Sequence, residues 1–133
     1  MSQCHIIGVH GNGVVMPGSS PEDFFRAIAL VIGAPHQLHG VARWLGEATE
    51  TRDPTGRLGE VAAWVREALD GERAVAVLAT GDPLCFGIAG PLIDELGRER
   101  VTVWPHLSSL QLAAARLGLP WQGARLVSVH AAD

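Results

Sequence analysis

A chain of 133 residues, 47% apolar and 18% charged, is long enough for one domain with a buried core and too apolar to be disordered. Its net charge of −4 sets fourteen acidic residues against ten basic ones, all of them arginine and none in a block, which argues against nucleic acid as a partner. No apolar run approaches the length of a membrane span and no basic-then-apolar leader opens the chain, so a cytoplasmic protein without a membrane partner is expected.

In chain order, Cys4 to Val9 is the first continuous apolar run and reads as a strand. It leads into a glycine-rich loop, Gly8-Val9-His10-Gly11-Asn12-Gly13. Ser20-Pro21-Glu22-Asp23 predicts a helix start: a capping residue, a proline at the first helical position and acids in the first turn. Ala29 to Ile32 is a second strand. The polar, breaker-rich stretch Gly46 to Gly56 (GEATETRDPTG) is expected to be a surface loop between helices. Leu58, Val61, Ala62, Val65 and Leu69 share one helical face.

Ala74 to Ala79 is a third strand, and Pro91 to Leu96 can form a helix that Gly97 ends. Val101 to Trp104 is a fourth strand. Ser108 and Gln111 have capping-box spacing and open a helix that Gly118 and Pro120 stop. Leu126 to Val129 is a fifth strand. Continuous apolar strands alternating with helices predict a three-layer α/β fold. A five-stranded, mainly parallel sheet would carry helices on both faces, in a single domain over residues 1–133.

Cys4 and Cys85 stand alone and read as two reduced core thiols. The six histidines include no metal-ligand spacing, so no metal is expected. In a parallel sheet, ligands bind beyond the carboxyl ends of the strands. Three loops meet that description here: the first glycine loop, Thr80-Gly81-Asp82-Pro83, and Pro105 to Ser109. The first is not a dinucleotide fingerprint, because His10 replaces the second glycine and no acid follows some twenty residues on. Asp82 fits two readings, a carboxylate closing its own turn or one that also meets a ligand. Ser108 and Gln111 are accounted for by capping alone.

The string "LATGDPLCFG", followed by "VTVWPHLSSLQLAAARLGLPWQGARLVSVH", resembles the tetrapyrrole methylases. Within that family it is most similar to the precorrin-6Y C5,15-methyltransferase group of cobalamin biosynthesis. That group's (S/A)(S/G)GDPxxxG loop, SSxQxAxARLGxPW helix and LVSxH strand occur here in the same order. "ALVIGAPHQL" resembles the family's second strand.

The resemblance implies S-adenosylmethionine as cofactor, a precorrin as substrate and C-methylation as the reaction. Such a transfer needs chiefly positioning, so no catalytic residue is assigned. Carried over by position, the cofactor is met by the first loop around Gly11, by Thr80, Gly81, Asp82 and Cys85, and by Ser108 and Ser109. The resemblance also implies the strand order 3-2-4-1-5, a homodimer, and a two-domain enzyme of which residues 1–133 are the N-terminal half, inactive in isolation. His10 departs from the group's pattern, which has a glycine there, and Ile28-Ala29 stands where Ala-Asp is usual. Two alternatives stay open: another tetrapyrrole methylase with a different substrate, and a non-catalytic α/β module that binds a ligand.

Overall fold

Four of the apolar runs of the sequence become strands of an all-parallel sheet. The structure is a computed structural model that describes residues 2–11, 13–85 and 87–128. Its strands are β1 (Cys4–Val9), β2 (Leu30–Ile32), β3 (Glu50–Arg52), β4 (Val75–Thr80) and β5 (Val101–Trp104). The helices between and after them are α1 (Pro21–Arg26), α2 (Pro35–Val41), α3 (Val61–Asp70), α4 (Ala89–Leu96) and α5 (Ser109–Leu117). The sheet order is β3-β2-β4-β1-β5. β1 pairs along its whole length with β4, from Cys4 opposite Val75 to Val9 opposite Thr80, and over four residues with β5.

Both faces of this sheet are covered, which is why its strands read as unbroken apolar runs instead of alternations. On one face Cys4, Ile6, Leu30, Ile32, Val75 and Val77 pack against α3 and α4, which contribute Trp64, Val65, Leu69, Leu92 and Leu96 among others. On the other, Ile7, Val9, Val31, Ala76 and Leu78 meet Met16, Phe25, Ile28 and Val41. Each fully buried aliphatic side chain of this size contributes about 1.5–3 kcal/mol. Removing one from β1 or β4 would therefore cost a sizeable part of a small domain's stability.

Three expectations need correction. The segment Gly46 to Gly56 is not all loop: Glu50–Arg52 form β3, paired with β2 at the sheet edge. Its side chains are all polar, with Thr51 exposed and Glu50 and Arg52 half-buried. Glu50 accepts from Arg52 Nε at 2.8 Å and from an Arg73 guanidinium nitrogen at 2.9 Å. The expected strand at Leu126 to Val129 does not form over residues 126–128, and Val129 lies outside the described residues. Four of the five expected strands form, and the sheet takes the order 3-2-4-1-5 only when Glu50–Arg52 is counted third and the Leu126 run is left out. Finally, Leu58 does not share the α3 face. It sits in a short 3-10 turn before the helix and is 66% exposed, while Trp64 and Ala68 complete the buried stripe.

At the β1–β5 seam His5 packs against Phe24 and Trp104 at the margin of the second core. Its Nδ1 accepts from Trp104 Nε1 at 3.1 Å, and its ring meets Phe24 edge-on at 4.8 Å. An imidazolium could not accept that bond, and burial holds the His5 pKa below the usual 6.5. His106 is shifted the same way, first by burial and then by the neighbouring His10. A depressed histidine pKa means that the unfolded chain takes up protons first. Stability is therefore full above the unfolded value and falls as pH drops toward the folded one. The melting temperature is expected to fall between about pH 7.5 and about pH 5.5, and His5→Asn, which keeps an acceptor but cannot titrate, should flatten that fall. Circular dichroism melts at the two pH values check this, and equal slopes in both proteins would count against it.

Candidate functional site

The carboxyl ends of β1, β4 and β5 lie side by side, so the three loops that leave them converge. Their crossing point is Gly8. Directly over it the His106 backbone N–H donates to the Gly81 carbonyl at 3.1 Å, and Gly81 N–H donates to the Val9 carbonyl at 3.1 Å. A Cβ at Gly8 would overlap the Gly81 carbonyl oxygen and come within 2.7 Å of the His106 nitrogen. Only glycine fits there. Gly81 itself sits at φ 72°, a left-handed conformation that turns the chain sharply out of β4.

The turn after β4 explains why a carboxylate and a proline follow a buried strand. Asp82 Oδ1 accepts the Leu84 N–H at 3.0 Å, an Asx-turn, and the Asp82 carbonyl accepts the Cys85 N–H at 3.0 Å. Pro83 is fully buried and its carbonyl accepts the Ala89 N–H that opens α4. The second carboxylate oxygen of Asp82 has no partner among the described residues, and Asp82 is one of the residues lining the cleft. The two readings of Asp82 are therefore compatible, one oxygen for the turn and one for a ligand.

The third loop ends in a complete capping box. Ser108 Oγ accepts the Gln111 N–H at 3.2 Å, and Gln111 Oε1 accepts the Ser108 N–H at 2.7 Å. The next two amides, of Ser109 and Leu110, belong to the first helical turn and have no carbonyl four residues back inside the helix to donate to. They remain as donors at the rim. Gly118, in the left-handed conformation, closes α5 with the Leu119 N–H donating to the Ala114 carbonyl at 3.0 Å.

These loops and α5 enclose a cleft of about 810 Å³. Thr80, Gly81, Asp82, Cys85, Ser108 and Ser109 all line it, together with His10 and an apolar wall that includes Leu107, Leu112 and Leu126. Of the residues singled out in the sequence, Gly11 is not among the lining residues. It lies at φ 59° in the turn that His10 and Gly13 close by exchanging two backbone bonds of 3.1 Å, and its carbonyl faces Gly40 of α2. Asn12 and Phe86, in two of the three motifs, lie outside the described residues, as does His130. His10 is one of the residues lining the cleft. Its ring stacks on that of His106 with centroids 5.4 Å apart.

The two cysteines part company. Cys4 is a core thiol whose pKa burial pushes up to about 12, whereas Cys85 is half-buried and borders the cleft. Among the described residues no three His, Cys, Asp or Glu side chains converge as a metal site would require. No helix among them is long and apolar enough to cross a membrane.

Sequence reasoning passed over Gln37. This α2 residue takes the Ala34 N–H on Oε1 at 2.9 Å and donates from Nε2 to Thr80 Oγ1 at 3.2 Å, tying the helix start to the cleft. Its position three residues into a proline-started helix was the available signal.

The cleft has the form of a site for a small molecule. A cavity of several hundred Å³ with an apolar wall and a few convergent polar groups is the usual form of a small-molecule site. Here Thr80, Asp82, Ser109 and Leu110 are among the lining residues, and the Ser109 and Leu110 amides have no intrahelical partner.

Comparison with known proteins gives a consistent result. The sequence matches the family model for tetrapyrrole (corrin/porphyrin) methylases over residues 25–133. It is 32% identical over 126 residues to the decarboxylating precorrin-6Y C(5,15)-methyltransferase of a Sinorhizobium species, covering 94% of this chain and 29% of that protein. The same-named protein of Mycobacterium tuberculosis is 29% identical over 132 residues, covering 96% of this chain and 32% of its own. The cobalt-precorrin-7 C(5)-methyltransferase of Salmonella typhimurium is 33% identical over 73 residues, 55% of this chain and 35% of that one. The chain thus spans about a third of the length of the curated relatives it matches.

Two solved structures share the fold. A cobalt precorrin-4 methyltransferase superposes with a TM-score of 0.69 at 20% identity, covering 87% of this chain and 50% of that one. A precorrin-6Y methylase from Archaeoglobus fulgidus gives 0.64 at 22% identity, covering 98% and 65%.

The Asx-turn makes a local prediction. Asp82→Asn keeps an oxygen for the Leu84 N–H and should leave the melting temperature nearly unmoved, whereas Asp82→Ala, which orphans that amide, should lose about 1 kcal/mol. Urea unfolding of the two variants separates them, and equal losses would show that the turn bond does not stabilise the fold.

Proposed function

Because the chain belongs to the tetrapyrrole methylase family, we propose that it carries the S-adenosylmethionine-binding part of a precorrin C-methyltransferase. The activity in view is of the precorrin-6Y type in cobalamin biosynthesis, in the cytoplasm. The observation that carries this reading is the convergence of the GDP turn and the Ser-Ser cap on one cleft. When bound, S-adenosylmethionine supplies a methyl group activated by the sulfonium that carries it. The chain's own part is to hold and orient. The free Asp82 oxygen accepts from a polar hydrogen of the cofactor, the Ser109 and Leu110 amides donate to its acceptors, and the leucine wall excludes water.

No side chain here is assigned proton transfer, since a sulfonium methyl donor asks for alignment more than for acid or base help. A second α/β domain would supply the opposite wall of the cleft and the tetrapyrrole site, so residues 1–133 alone are expected to turn over no precorrin. A different tetrapyrrole substrate is the second reading, favoured by the 33% identity over 73 residues to the cobalt-precorrin-7 C(5)-methyltransferase.

Calorimetric titration with S-adenosylhomocysteine tests the proposal. Saturable binding is expected, weakened about tenfold to a hundredfold by Asp82→Asn for one lost charge-assisted bond. No binding by the complete protein would overturn it.

The same proposal includes a homodimer. Leu107, Leu117, Leu119, Trp121 and Val127 are all exposed, an apolar display that association would cover. Sedimentation at micromolar concentration should show a dimer, and a monomer throughout would count against it.

A further inference from the structure

Thr80 stands at the last position of β4 with its side chain in the cleft lining. A threonine hydroxyl can donate one hydrogen bond or accept, and which way it faces a ligand depends on what its neighbours demand of it. Gln37 makes that demand. Its amide cannot rotate freely, because the Ala34 backbone N–H is a donor and must face the amide oxygen, at 2.9 Å. The amide nitrogen is thereby turned toward Thr80 Oγ1, at 3.2 Å, where it can only donate. Thr80 accepts that bond and its own hydrogen is left over. Among the described residues, no other group takes it.

We infer that Gln37 is a positioning residue that fixes the hydrogen-bond polarity of the cofactor cleft, so that Thr80 presents a donor and the site takes a ligand acceptor at that point. The chain of constraint starts from an obligatory backbone donor at the start of α2 and ends at a side chain of the pocket. The inference rests on the proposed S-adenosylmethionine site and deepens it.

Gln37→Glu and Gln37→Met give opposite orders under a polarity role and a merely structural one. The glutamate variant keeps the bond to Ala34 N–H and adds a favourable negative charge at a helix start, so a structural role predicts binding as good as the parent's. Under the polarity role its second oxygen can only accept. The Thr80 hydrogen is then drawn away from the ligand, and a lone pair faces the cleft. The methionine variant releases Thr80 without reversing it.

S-adenosylhomocysteine affinity of the complete protein at about pH 7.5 should therefore fall in the order parent, Gln37→Met, Gln37→Glu, the last by roughly tenfold. In a Thr80→Val background, Gln37→Glu should change affinity little. Parent-like affinity in Gln37→Glu at pH 7.5, with melting unchanged, overturns the inference and leaves the cofactor reading standing. A complete parent protein that binds no S-adenosylhomocysteine overturns both.

Discussion

The site depends on the absence of one side chain. At Gly8, β1 passes beneath the hydrogen bond that joins the turn after β4 to the loop after β5. Replacing its hydrogen by a methyl group would press on two backbones at once, and no flexible side chain stands there to yield. Because β1 lies between β4 and β5 in the sheet, this contact sets how closely the GDP turn and the Ser-Ser cap approach one another. The cleft width follows from it. The carboxylate of one loop and the amides of the next can then address a single ligand.

That closeness needs a rigid floor. β1 and β4 are covered on both faces, and their pairing runs from Cys4 to Val9 without a break, so the loops leave a platform with little freedom to shift. The three-residue strands β2 and β3 serve a different purpose. They carry α2 to the cleft edge, where Gln37 reaches Thr80. Scaffold and site are thus joined by hydrogen bonds from backbone groups whose positions the sheet dictates.

Much of this was legible in the sequence because the signals were local. The apolar runs at Cys4, Ala29, Ala74 and Val101 mark strands covered on both sides, and the Ser108-to-Gln111 spacing marks a helix start that the structure caps in full. What escaped was non-local. Glu50–Arg52 has no apolar residue to announce it. It is a strand through its pairing to β2, and its charges are balanced by Arg73 from the far end of α3. Leu126 and Val127 look like a strand by composition, but no neighbouring strand receives them, and Val127 stays 74% exposed. Gly8 could be read as a strand residue or a loop glycine. Its role is visible once two other loops are seen lying on it. Gln37 speaks to Thr80 across forty-three positions of sequence, beyond the reach of any short motif.

The α5 helix has a further consequence. It is held by its own ends, a capping box at Ser108 and a left-handed glycine at Gly118, while none of its residues is fully buried. A helix of nine residues with capped ends and only partial burial is close to the balance point between helix and coil. Whatever covers its apolar side therefore shifts that balance, and the Ser109 and Leu110 amides take up their fixed directions to the extent that the helix is formed. Covering the helix and binding at its first turn are then thermodynamically linked, each strengthening the other by the same factor. A surface that docks on α5 would raise the affinity of the cleft without touching the ligand.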